Sequence, residues 1–234
     1  AEAYSNMGVA LNDKGDSEAA IESYKKALKI KPDYADAFNN IGIALNGIAF
    51  KKPKSGLMEV ITSLLDQRTS CRPKNIAKAA ISLLKFEPTL KELLEKHSLG
   101  TPRQALQETA SILAEWPLLL KLMSVCPISD LELERVLVDT RLALLSSVDE
   151  ISISPAILRF QSALALQCFT NEYIYNQTDK ESELLKELEC VIEKALLNGQ
   201  QPSAQTVLCL ASYKALNEYE WCDLLTVNTD IEEV

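Results

Sequence analysis

Two stretches decide the architecture: AEAYSNMGVALN, residues 1–12, and ADAFNNIGIALN, residues 35–46. They overlay at an offset of 34 residues without a gap. Ala1, Ala3, Asn6, Gly8, Ala10, Leu11 and Asn12 recur as Ala35, Ala37, Asn40, Gly42, Ala44, Leu45 and Asn46, while Tyr4 becomes Phe38 and Met7 becomes Ile41. A period of this length marks a stacked unit of secondary structure, because neither copy can bury its apolar face alone. The unit reads as two helices. The first spans about Glu2 to Lys14, Gly15-Asp16 makes the turn, and the second spans about Ser17 to Ile30 before Lys31-Pro32. Asp16 or Ser17 is placed to cap the second helix, with Glu18 favourable in its first turn.

Within this unit Tyr4, Met7, Gly8, Leu11, Ala20, Tyr24, Ala27 and Pro32 resemble the signature of a tetratricopeptide repeat. Gly8 and Ala20 are small enough for paired helices to approach closely, and Pro32 stops the second helix. The second copy keeps its first helix through Asn46 and then departs into GIAFKKPKSG, residues 47–56. About one and a half repeats are therefore expected over residues 1–50, as the end of a longer array. Two partial units do not hold themselves up, so they must lean on the helices C-terminal to them. Residues 48–56 are the expected boundary to an α-helical domain over 51–234.

The asparagines carry the functional expectation. Asn6 and Asn40 share one position on successive first helices, and the resemblance places that position on a concave face. Some relatives use a ladder of such asparagines to hold an extended peptide, since a side-chain amide donates and accepts at once, as a peptide backbone requires. Asn12 and Asn46 recur likewise and complete the candidate peptide contacts. The alternative is that asparagine is merely common in such repeats.

The rest of the chain reads as helix. Prolines open successive segments (RPKNIAKAAISLLKF, EPTLKELLEKH, TPRQALQETASILAEW, CPISDLELERVLVDTRLALL, SPAILRFQSALALQCF and QPSAQTVLCLASYKAL), with Thr101 and Ser154 as caps. Leu131, Leu133, Val136, Leu137, Leu142 and Leu145 fall at helical spacing. In TDKESELLKELECVIEKALLNG, Thr178 and Glu181 match a capping box, while Leu184, Leu188, Val191 and Ile192 are expected to line one face. EISISP, residues 150–155, comes nearest to a strand but is short and ends in proline. The expected fold is all-α: helical-hairpin repeats of α-solenoid type continuing into a bundle-like domain.

Composition narrows the function. A 234-residue chain with 47% hydrophobic residues buries a substantial core. Its net charge of −9 leaves no basic surplus for phosphates, which argues against nucleic acid as a partner. No apolar run reaches membrane-spanning length, and six cysteines without a C-x-x-C pair read as reduced thiols in a cytoplasmic protein. The lone His97, in a helix's last turn, reads as a solvated or dipole-pairing residue. No phosphate-binding glycine loop or hydrolase elbow occurs, so neither a cofactor nor a metal is expected. The most polar and aromatic stretch is QCFTNEYIYNQTD, residues 167–179. There Cys168, Asn171, Glu172, Tyr173 and Tyr175 form a candidate pocket, with Cys168, Glu172 and Tyr175 on one side if the helix persists. The alternative is a helix end where tyrosines cover the core. LASYKALNEYEWCD, residues 210–223, is the second such stretch.

RPKNIAKAAISLLK, WPLLLKLMSVCPISDLELE, ALQCFTNEYIY and LCLASYKALNEYEWC resemble, over residues 57–225, a helical module of bacterial repeat proteins that carry a class I S-adenosylmethionine-dependent methyltransferase domain. The glycine-rich cofactor loop of such a domain is missing from this sequence, so the resemblance implies a catalytic domain beyond Val234. The expected activity is non-catalytic: binding a protein or peptide, in a recognition or scaffolding role. The alternatives are a helical domain that contributes an enzyme's pocket, or a spacer that self-associates into homo-oligomers.

Overall fold

The computed structural model describes residues 1–67, 71–98, 103–148 and 154–226. Among them there are twelve α-helices and no strand, so the fold is all-α. The chain forms two compact units, Ala1–Lys91 and Glu92–Val234. Residues 48–56, where the boundary is expected, lie inside the first unit.

In the first unit α1 (Glu2–Asp13) and α2 (Ser17–Ile30) pair as a hairpin, and α3 (Ala35–Leu45) packs on both. Asp16 is the cap of α2, accepting from the Ala19 amide at 3.0 Å. The hairpin closes where Gly8 meets Tyr24: a Cβ at Gly8 would lie 2.7 Å from the Tyr24 Cδ1, inside the ring's van der Waals surface. Ala20, Ile21, Tyr24 and Ala27 are fully buried around this contact. Burial raises the Tyr24 phenol pKa above the ordinary value, with the Asp13 charge acting in the same direction.

The second copy solves the same problem differently. Gly42 stands where Gly8 stands, but a Cβ there would meet Cys71, 2.7 Å from its Cβ. Cys71 precedes α5 (Pro73–Leu84), against which α3 packs, and α4 (Leu57–Asp66) packs on α5 in turn. The segment that departs from the repeat is fastened rather than free. Lys54 pairs with Glu18, Lys25 Nζ donates to the Ser55 carbonyl at 2.6 Å, and the Phe50 amide donates to Ser82 Oγ at 2.9 Å. With Phe50 itself buried, residues 47–56 join α2 to α5 within the first unit.

The repeat also has an open end. Phe38, Ile41 and Leu45 on α3 are buried. Their counterparts on α1 are not: Met7 is 44% exposed where Ile41 is 0%, and Tyr4 is exposed as well. The same apolar register is covered by α2 in one copy and uncovered in the other.

The division between the units falls within α6 (Pro88–Ser98). The second unit continues with α7 (Arg103–Leu113), α8 (Pro117–Val125), α9 (Leu131–Ser146), α10 (Pro155–Thr170), α11 (Asp179–Leu197) and α12 (Ala204–Ala211). Helix α10 is central, packing on α7, α8 and α12, while α9 packs on α7, α11 and α12. The expected Ser154 cap is present, accepting from the Ile157 amide at 3.2 Å. So is the Thr178–Glu181 box, with both reciprocal bonds formed. Thr101 and residues 150–153 lie outside the described residues. Two expected core positions are corrected. Leu131 opens α9 before it meets its neighbours and Val191 lies on the outer side of α11, so both are largely exposed. Pro127 and Pro202 stand a few residues ahead of their helices, which are capped instead by Asp130 and Ser203.

The Gly8 contact yields a prediction in which two effects oppose. By helix propensity Gly8→Ala would stabilise α1 by about 1 kcal/mol. Overlap with the Tyr24 ring costs about 1–3 kcal/mol, and because the ring is walled in we expect the overlap to win. Urea denaturation followed by circular dichroism should show a lower midpoint for Gly8→Ala; a higher one would refute the packing described.

Candidate functional site

Two places bring functional groups together, one in each unit. In the first, α1 and α3 touch and present matching surfaces. Asn6 is exposed and Asn40 half-buried at the same register position, and among the described residues no hydrogen bond occupies either side-chain amide. One turn further on, Val9 and Ile43 are 40% and 61% exposed. This apolar pair escaped the sequence reading, although its 34-residue recurrence was visible in it. Asn12 belongs to the hairpin instead, its Oδ1 accepting from Ser17 Oγ at 2.9 Å. Asn46 is the exposed C-cap of α3.

In the second unit Glu172 leaves the candidate pocket of residues 168–175, while Tyr173 and Tyr175 stay near Cys168. Helix α10 stops at Thr170, so Cys168, Glu172 and Tyr175 do not share a helical face. Glu172 and Tyr173 both take φ of +53°, a left-handed conformation costly for residues with a Cβ. This turn sends Glu172 to solvent. Cys168 is fully buried, and burial pushes its thiol pKa up to about 11 against the opposing influence of Arg141. It is a protonated core thiol rather than a nucleophile. Asn171 caps α10 with its Nδ2 buried and unpaired, and Tyr173 Oη donates to the Ala211 carbonyl at 3.3 Å. Tyr175 is half-buried under the Arg141 guanidinium, 5.6 Å from the ring centre. The polar stretch follows a helix end, with Tyr173 and Tyr175 half-buried.

The buried charge lies elsewhere. Arg141 of α9 and Glu181 of α11 are both almost wholly buried and stand 3.4 Å apart. Glu181 Oε1 also accepts from Tyr213 Oη at 2.7 Å, while its Oε2 accepts from the Thr178 amide and hydroxyl at 2.8 Å each. The Arg141 guanidinium lies over the Tyr213 ring, 4.1 Å from its centre, and donates to the Asn176 carbonyl at 3.2 Å. Burial alone would raise the Glu181 pKa. The Thr178 and Tyr213 hydrogen bonds and the Arg141 charge outweigh it and hold the carboxyl below the ordinary value. Sequence showed Glu181 only as half of a capping box. Its tertiary partners, 40 residues before and 32 after, carried no local signal.

Nearby, His97 is largely covered and its Nε2 lies 2.8 Å from Asp139 Oδ2, so it is committed to α9 rather than solvated. It borders an open groove of about 340 Å³ together with Glu134, Asp139 and Tyr175. All six cysteines are unpaired. Among the described residues no three His, Cys, Asp or Glu side chains are grouped to hold a metal ion, and no helix is long and apolar enough to cross a membrane.

Residues 8–46 match a TPR repeat. The matched TPR segment covers the end of α1, all of α2 and α3, and the linkers between them. The chain is also 44% identical over 45 residues to an uncharacterized protein of Methanocaldococcus jannaschii, an overlap of 19% of this chain and 52% of that protein. The chain thus spans about half the length of this curated relative. No solved structure matches.

The Arg141–Glu181 pair sets a pH dependence. A carboxyl whose folded pKa is depressed contributes stability above its unfolded pKa and loses it as pH falls through the folded value. Parent stability should therefore fall on acidification below about pH 4.5, the unfolded reference for Glu181, with a component missing from Glu181→Gln. Arg141→Leu leaves the buried carboxylate without its cation and should cost about 3–5 kcal/mol at neutral pH. Thermal melts across pH 3–7 check both; unchanged stability in Arg141→Leu would show that the pair is not buried as described.

Proposed function

We propose that this chain is a non-catalytic protein-interaction module whose TPR segment holds an extended peptide against the exposed face of α1 and α3. The observation that carries this reading is the recurrence of a free amide beside an exposed apolar side chain: Asn6 with Val9 on α1, Asn40 with Ile43 on α3. Amides serve a peptide's backbone, and the apolar positions between them take alternate side chains. TPR repeats generally mediate protein–protein contacts, which supports the assignment.

The uncovered apolar register of α1, Tyr4 and Met7, supports placing this segment at the end of a longer array, where the second helix of a preceding repeat would cover it as α2 covers α3. The resemblance of residues 57–225 to a methyltransferase-associated module supports the larger setting: a recognition or scaffolding arm of a methyltransferase-bearing protein in the cytoplasm. In that setting the catalytic residues belong to another domain. The rival reading, an enzyme pocket at residues 168–175, loses its support once Glu172 faces solvent and Cys168 is a buried, protonated thiol.

Selection from a random peptide library on the immobilised chain tests the proposal, with Asn6→Ala/Asn40→Ala as the counter-selection. Enriched peptides should bind this folded double variant at least about tenfold more weakly, the loss of two hydrogen bonds to backbone. Equal affinity, with circular dichroism unchanged, would move the binding face elsewhere.

A further inference from the structure

The α1–α3 face has a charge pattern as well as a shape. Glu2, Asn6, Val9 and Asp13 fall at i, i+4, i+7 and i+11, one face of α1. Asp36, Asn40 and Ile43 repeat the first three of these on α3, at the same 34-residue offset. Both helices lie in the same compact unit and touch. Glu2, Asp13 and Asp36 are exposed. Neither helix contains a single Lys or Arg to neutralise them.

Helix electrostatics account for part of this pattern. Glu2 and Asp36 lie in first turns, where an acid is favourable. Asp13 does not fit: it closes α1 at the carbonyl end, where the helix dipole disfavours an acid, and α1 has no basic residue in its last turn. That acid shares the face of Asn6 and Val9, with Lys14 following it as the C-cap. The result is a strip of exposed apolar side chains and free amides bordered at both ends of α1 by exposed acidic side chains.

From this we infer that the occupant of the α1–α3 face is an extended peptide carrying an apolar residue flanked by lysine or arginine. The inference rests on the peptide-binding reading above and adds the ligand's chemical class. Val9 and Ile43 take the apolar side chain, Asn6 and Asn40 hold the backbone, and Glu2, Asp13 and Asp36 pair with the flanking cations. An acidic peptide would bring its carboxylates against these three and be repelled.

Fluorescence anisotropy with three labelled ten-residue peptides tests it, each with a central leucine flanked by lysines, by glutamines or by glutamates. The lysine peptide should bind at least about tenfold tighter than the glutamate peptide, two or more ion pairs being exchanged for repulsion. The preference should shrink between about 50 mM and about 300 mM salt, as screening requires. Because the chain's charge of −9 attracts cations everywhere, Glu2→Lys/Asp36→Lys should abolish the preference, while Glu187→Lys/Glu193→Lys, equal in charge but on exposed positions of α11, should leave it. Equal effects of the two double variants would overturn the inference. If all three peptides bind alike and all depend on Asn6 and Asn40, the peptide site stands and the basic ligand class falls. If none binds, both readings fall.

Discussion

The close approach of α1 and α2 depends on one missing methyl group. Gly8 lets the Tyr24 ring lie against the backbone of α1, and that contact sets the depth at which the two helices pair. Everything presented by the first unit depends on it. With α2 drawn close, its other side is free to receive α3, so α1 and α3 come to lie beside each other with equivalent faces outward. A ring packed directly against backbone gains dispersion, and no flexible side chain between them can take up error. The spacing of Asn6 and Asn40 is therefore set by packing rather than by loops.

The second copy shows how the same constraint is met when the sequence abandons the repeat. Gly42 is retained, and the volume it leaves is filled by Cys71 from the approach to α5. The position equivalent to Tyr24 is Met58, half-buried on α4. The close approach is thus preserved while its partner changes. Residues 47–56, which break the repeat in sequence, are held by Lys54–Glu18, Lys25–Ser55 and Phe50–Ser82. Departure from a repeat pattern does not mean departure from the packed unit.

In the second unit the organising constraint is electrostatic. A buried carboxylate is tolerated only with its lone pairs filled and a counter-charge near. Glu181 meets both conditions by drawing on three places in the chain: Thr178 at its own helix start, Arg141 on α9 and Tyr213 beyond α12. Arg141 in turn lies over the rings of Tyr213 and Tyr175. A helix cap thereby becomes the tie between three elements, and the aromatic residues that look like a pocket in sequence are the walls around a guanidinium.

Much of this was legible in the residues alone. The 34-residue period with its glycine and proline established the hairpin, Asp16, Ser154 and Thr178 marked helix starts that are present, and the scarcity of alternating patterns established an all-α chain. These signals are local: capping, turns and periodicity operate within a few residues, and a repeat multiplies them. What the tertiary structure decided is long-range. Helix α10 ends at Thr170, short of Glu172, and the left-handed turn that follows places Tyr173 against Ala211. Leu131 and Val191 fit the helical period yet face outward, since period says where a face lies and not whether another helix covers it. The partners of Gly42, Glu181 and His97 lie about 30 to 40 residues away, beyond any local pattern. The sequence by itself determined which segments are helices and which face repeats. Only packing decided which charges are buried, because burial depends on what the rest of the chain brings to the same place.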